Sequence, residues 1–393
     1  MAPAAARDNR GLIPMTSMTT AWSEKTFTSG VKKYLPLGAV VAALAALPVA
    51  SAQATNGMVP HGNGAAAKGL SGAVTALALD TQAGSHNPAA MVLLGNRLDL
   101  ELEFFAPIRD FTASAGGTLT GGTTESATEF FLIPAMGANW MIDDKSSTGI
   151  TPVLAAQRIR TEGLEALDGV SVDRGSVNNN GYDHSVGYGF RVGWQGDFFR
   201  NLTIGASHQS RMYMTEFTKY AGLFAEQGDF DFAPISNLGI AYRATPNLTL
   251  ALDWQHIWYN EIDAIANNGN VALAAGVLGG DDGAGFSWED MDVVKFGIQW
   301  DTSDALTLRT GISYNSQTFN DDQVLFNIPA PGVVRIHASV GASCKISENH
   351  AVNFSFTRAF SDSVTGTTVN TGTQTIKLRM DQFDGVVGHT YSW

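Results

Sequence analysis

The sequence predicts an all-β chain: a transmembrane antiparallel β-barrel whose lumen holds an N-terminal plug. Three features predict it. Apolar and polar residues alternate with period two through a long succession of segments, and short turns alternate with long loops between them. A glycine- and alanine-rich stretch, Asn56–Ala90, almost uncharged and without alternation, precedes the first of these segments. In a membrane barrel one face of each strand meets lipid and the other the lumen, which is what period two records.

Composition narrows the classes. Only 16% of the 393 residues are charged, 42 are glycine, and the 44% that are hydrophobic are dispersed rather than blocked. That mix suits neither a disordered chain nor a helical membrane protein. Beyond the N-terminus no apolar run reaches the roughly 18 residues a membrane helix needs. A net charge of −13 argues against nucleic acid as a partner, because phosphate binding requires a basic face. The single cysteine, Cys344, excludes a disulfide framework and occupies an apolar position of a strand.

At the N-terminus Lys32-Lys33 precede an apolar run, Leu37 to Val49, and then small residues around Ala52 and Ala54. This is the pattern of a Sec-type signal peptide, with cleavage expected after Ala52 or Ala54. The expected organisation is therefore signal peptide with an N-terminal extension over 1–54, plug over 55–95 and barrel over 96–393.

The wall follows strand by strand. In the first, Leu98, Leu100, Leu102 and Phe104 face out and Asp99, Glu101 and Glu103 face in. Arg335 to Ile346 alternates throughout, as do Val294–Trp300, Leu306–Tyr314, Val352–Phe356 and Leu248–Trp254. Short turns such as 301–305 and 244–247 alternate with long loops such as 217–229, 261–286 and 317–332, the asymmetry of an outer-membrane barrel. Trp140, Trp194, Trp254, Trp258 and Trp300 stand at strand ends, where interfacial girdles form. The chain ends on an alternating strand with a final aromatic, Trp393. Segment 150–159 alternates poorly, yet parity requires a strand there. The count is twelve: 97–105, 129–141, 150–160, 182–195, 201–214, 231–244, 247–260, 288–301, 305–316, 333–346, 350–361 and 381–393. A barrel of that size has a lumen that needs filling.

On these residues the chain resembles the FadL/TodX family of outer-membrane transport proteins. The resemblance is carried by Gly57, His61-Gly62, Ala67-Lys68-Gly69-Leu70-Ser71-Gly72-Ala73, Asp80 and Asn87-Pro88-Ala89 in the plug. In the wall it is carried by Asn179–Tyr182, Tyr220–Phe232, Leu306–Tyr314 and Asn327–Gly332. It implies passive uptake of hydrophobic compounds, long-chain fatty acids foremost and aromatic hydrocarbons second, across the outer membrane of a Gram-negative cell. Family barrels usually have fourteen strands. Here only segment 141–181 separates Trp140 from Tyr182, which implies two strands fewer.

Candidate site residues fall in three groups. Asn87, Pro88 and Ala89 fix a turn at the end of the plug and either anchor it or gate it. Lys295, Arg211 and Arg335 face inward by parity and could meet a fatty-acid carboxylate, whose unpaired burial is costly; pairing with wall carboxylates is the competing role. Phe224, Phe286, Trp288 and Phe326 lie in or beside outer loops, where they could capture an apolar substrate or pack the loops together. No nucleophile elbow, HExxH, CxxC or dinucleotide fingerprint is present, so no enzyme activity, cofactor or metal site is expected. The expected partners are the hydrophobic substrate, outer-membrane lipid and lipopolysaccharide, with the chain a monomer. A structural or adhesive barrel, or an outer-membrane hydrolase, are the alternatives.

Overall fold

The alternating segments form one antiparallel sheet of fourteen strands. They are β1 (Arg97–Ala113), β2 (Gly122–Glu125), β3 (Phe131–Asn139), β4 (Thr148–Ile159), β5 (Asp183–Phe198), β6 (Leu202–Gln209) and β7 (Tyr213–Met214). Then come β8 (Ile235–Thr245), β9 (Leu248–Ile257), β10 (Met291–Asp301), β11 (Leu306–Asn315), β12 (Ile336–Lys345), β13 (His350–Gly366) and β14 (Ile376–Ser392). This computed structural model describes residues 56–117, 119–126, 131–139, 148–162, 164–272, 274–369 and 374–393. The expected signal peptide and Trp140 lie outside the described residues.

From β8 to β14 each strand pairs with the next, and β14 pairs with β1 from Ser392 opposite Arg97 to Ile376 opposite Ala113. Two strands are short continuations of a neighbour. β2 and β3 both lie along β1, with Glu125 opposite Asp110 and Phe131 opposite Phe105. β6 and β7 both lie along β5, with Gln209 opposite Arg191 and Met214 opposite Gly187. The fourteen strands therefore occupy twelve positions around the wall, as the alternation predicts.

The two faces are inverted relative to a water-soluble sheet. Leu238, Ile240, Leu252, Val294, Phe296, Ile312, Val340 and Phe354 are exposed, while Asn237, Asp253, Lys295, Ser313, His337 and Ser355 on the same strands are buried. Apolar outside and polar inside is the arrangement lipid demands. Short turns join β8 to β9, β10 to β11 and β12 to β13 at one end, and the long loops gather at the other. Near the long-loop end, Trp254 donates its indole N–H to Asp292 Oδ1 at 2.9 Å and Trp258 donates to Ser236 Oγ at 3.1 Å.

The poorly alternating segment is a full strand. β4 pairs with β5 from Thr148 opposite Trp194 to Ile159 opposite Asp183. Its pattern is blurred by Pro152 and by the paired alanines Ala155 and Ala156. Among the described residues no ladder joins β3 to β4, and each carries a proline, Pro134 and Pro152. A proline has no N–H for a ladder and is confined to strands with a free edge.

Residues 56–94 form no strand. They fold as α1 (Ala65–Gly69) followed by two 3₁₀ turns, Thr81–Ser85 and Pro88–Leu93. Asp80 caps the first turn, accepting from Gln82 N at 2.9 Å, and Asn87 caps the second, accepting from Ala89 N at 3.1 Å. Gly72 has φ 79°, and a Cβ there would stand 1.7 Å from His61 O, so only glycine fits. α1 meets the wall backbone to backbone: a Cβ on Gly341 of β12 would lie 2.9 Å from Gly69 Cα.

Candidate functional site

The segment 56–94 is tied to inward-facing residues around the wall. Lys68 Nζ lies 2.7 Å from Glu103 Oε1 on β1 and 3.4 Å from Asp384 Oδ1 on β14, with the Asp384 side chain fully enclosed. Across the lumen Asp253 Oδ2 on β9 accepts from Val74 N and Thr75 N, both at 2.8 Å. Ser71 Oγ meets Ser339 Oγ of β12 at 2.6 Å, and Thr81 N donates to Asp99 Oδ2 of β1 at 2.8 Å. Buried charges persist when paired and hydrogen-bonded; Lys68 has both, whereas Asp253 is held by the two backbone N–H groups.

The electrostatics of the segment follow from burial. Burial works against the charge on Lys68, but Asp384 and Glu103 together hold its pKa above the ordinary lysine value. Burial, then the charge of Asp99, pushes Asp80 up to about 6. Burial, then Lys295 and Arg191, pushes His86 down to about 3. Burial, then Lys68, holds His61 well below the usual histidine range. Both histidines are thus neutral at pH 7.

Above the segment, toward the long loops, lies an apolar cluster. It joins Phe217, Phe224, Tyr259, Ile265, Phe319 and Val324 of the loops to Ile257, Met291, Val293 and Met380 of the wall. Met58 and Val59 pack against it from below. Tyr259 fastens the two levels, donating its hydroxyl to Asn56 O at 2.7 Å and accepting from Met58 N at 2.9 Å. A cavity of 140 Å³ opens between β1, β2 and the loop carrying Ile328 and Pro331.

Each predicted residue has a definite place. Asn87 is fully buried, and its Nδ2 donates to Thr75 O at 2.8 Å and to Trp194 O of β5 at 3.0 Å. Gly193 of β5 leaves room for this contact, since a Cβ there would lie 2.0 Å from Asn87 Oδ1. Pro88 and Ala89 are buried, with Pro88 against Gly149 of β4. Lys295 is buried, lies opposite Asp253 in the ladder and donates to His61 O at 3.1 Å. Arg211 lies beyond the end of β6, bound to Asp231 and 3.7 Å from Asp229. Arg335 stands just outside β12, its Nε 2.7 Å from Asp362 Oδ2. The three cations are therefore not brought together.

Three of the four loop residues, Phe224, Phe286 and Trp288, lie in or against the apolar cluster. Phe224 and Trp288 are 7% and 2% exposed, and Trp288 Nε1 donates to Asn327 Oδ1 at 2.6 Å. Phe286 packs 6.0 Å from the Trp288 ring, and Phe326 is half-buried beside Gly269. Sequence reasoning overlooked Tyr259: a lone loop tyrosine carries no signal until its partners at 56 and 58 are known. Asp253 and Lys68 were visible, the first by inward parity and the second in the glycine-rich segment, but not their partners.

A lipid-facing wall around a charged, filled lumen is the architecture of an outer-membrane β-barrel. The family model described as outer membrane protein transport protein (OMPP1/FadL/TodX) matches residues 166–391, more than half of the chain, and the chain belongs to that family. In fold it is similar to the toluene transporter TodX of P. putida, with a TM-score of 0.60 and 14% identity over 85% of this chain and 99% of that one. It is similar also to a FadL homologue of Pseudomonas aeruginosa (TM-score 0.53, 14% identity, 84% and 98% covered). The toluene transporter TbuX of Ralstonia pickettii gives 0.52 at 14% identity, with 85% and 99% covered. Among curated protein sequences none matches the chain. The family consists of outer-membrane channels for hydrophobic compounds, and this chain is one of them.

Proposed function

We propose that the protein takes up hydrophobic small molecules passively across a Gram-negative outer membrane, with residues 55–95 as a movable plug in the wall 96–393 and residues 1–54 removed as a Sec-type signal. One observation carries the reading: apolar side chains run without interruption from the outer loops, at Phe224 and Phe319, to Met58 and Val59 of the plug. A molecule captured there reaches the plug without meeting a charge. Movement of the plug then opens the way on, past Asn87-Pro88-Ala89 and the edges of β3 and β4, which no ladder joins among the described residues.

Long-chain fatty acids are the cargo this reading favours, and they set a condition. A carboxylate needs a cation, and Lys295 is the candidate nearest the plug; it would exchange His61 O for the carboxylate as the plug withdraws. Aromatic hydrocarbons need no such exchange. The test is initial uptake of labelled oleate and toluene at low concentration by cells with and without the gene. Faster uptake with the gene is expected, and equal rates for both compounds would refute transport.

A further inference from the structure

We infer that a belt of buried polar side chains between the apolar cluster and the inner segment binds the uncharged hydrogen-bonding group of an otherwise apolar molecule, such as an alkylphenol or a long-chain alcohol. The belt lies at one level on four adjacent strands: Ser313 opposite His337, His337 opposite Ala359, Ala359 opposite Gln382. All four are buried, at 1%, 0%, 0% and 0% exposure. Among the described residues Ser313 Oγ, both ring nitrogens of His337, and Nε2 and Oε1 of Gln382 have no hydrogen-bond partner. Buried polar groups are otherwise almost always partnered, so a concentration of them at one level calls for something that partners them. Ala359, between His337 and Gln382, contributes only a methyl group.

The chemistry of the belt selects the ligand. A hydroxyl both donates and accepts, and so do the free atoms here: a neutral imidazole offers one N–H and one lone pair, glutamine both, serine both. A carboxylate is not favoured while the inner segment is in place. Lys295, next along the belt, faces Asp253 across the ladder and already donates to His61 O, and Asp384 lies on the next inward level of β14. The neighbouring levels place the rest of the molecule. One step toward the loops, the inward residues are Val293 and Met380 of the apolar cluster. On the other side the His61 ring stacks on His337, with centroids 5.4 Å apart and planes 20° from parallel. An apolar body with one hydroxyl therefore fits tail outward and hydroxyl inward.

The inference rests on the transport reading only for how the molecule arrives. Equilibrium dialysis of the purified full-length barrel with labelled 4-propylphenol and with propylbenzene, equal in shape but for the hydroxyl, tests it. His337→Phe and Gln382→Leu should each weaken 4-propylphenol about fivefold, the worth of one hydrogen bond, and leave propylbenzene unchanged or tighter. Ser313→Ala, which removes a single oxygen, guards against misfolding of the larger changes and should act in the same direction. Equal effects on the two compounds, or no effect in any variant, would overturn the belt. If 4-propylphenol fails to bind while cells still take up toluene, the belt falls and transport stands. Selective binding with no cellular uptake would uphold the belt and refute transport.

Discussion

Replacing Lys68 by methionine keeps the volume of the side chain and removes its charge, which leaves Asp384 and Glu103 without their partner. The Asp384 side chain is fully enclosed and that of Glu103 is 16% exposed, so water cannot restore what the ammonium supplied. Removing one member of a buried pair costs about 3–5 kcal/mol. At a tenfold change for each 1.4 kcal/mol, the docked state of the inner segment loses roughly two to three and a half orders of magnitude in population relative to the undocked. Hydrogen exchange reads this directly. Amides of residues 61–80 should lose protection in Lys68→Met while strand amides of β8–β14 keep theirs, and the barrel should retain its heat-modifiable migration on a gel. Adding Asp384→Asn should restore part of the protection, because the stranded charge is then gone. Exchange of 61–80 within twofold of wild type would refute the reasoning, since Lys68 would then hold nothing.

Further outcomes follow from the same ties. Asp253→Ala should strand the N–H groups of Val74 and Thr75, costing about 1–3 kcal/mol for each; faster exchange at those two amides measures it. Gly193→Ala drives a methyl into Asn87 Oδ1 and to 2.8 Å from Pro88 Cδ, an overpacking worth roughly 1–3 kcal/mol, seen as a lowered denaturation midpoint. Acidification tests the neutral histidines. His86 at about 3 and His61 well below its ordinary range bind fewer protons folded than unfolded, so they reduce stability as pH falls below about 6.5. Asp80, raised to about 6, opposes them between about pH 6 and 4. The difference between wild type and His86→Gln isolates one proton, a slope of up to about 1.4 kcal/mol per pH unit, and parallel denaturation curves between pH 7 and 5 would contradict it.

The wall was legible because lipid imposes the same rule on every strand. The alternation at Ile336–Lys345 and Leu306–Asn315 is regular since each residue answers to lipid or lumen alone. Segment 148–159 was less legible because, among the described residues, no ladder joins it to β3, so proline and alanine are tolerated where a central strand would exclude them. The site resisted reading for another reason. Parity places Lys295 inward but does not say that His61 O accepts its hydrogen bond, nor that Arg211 and Arg335 lie beyond the strand ends among loop aspartates. Such partners come from residues far apart in sequence, as with Tyr259 and Asn56, and only the folded sheet brings them together.

The claim that passage requires the inner segment to move is tested most directly by locking it. Ser71 Oγ and Ser339 Oγ are 2.6 Å apart, so Ser71→Cys with Ser339→Cys can form a disulfide; Cys344, free and exposed, is changed to serine beforehand. Flux of labelled oleate and toluene into vesicles carrying the double variant is then measured oxidised and reduced. The account predicts that oxidation abolishes flux and that reductant restores it. Equal flux in the two states would contradict it.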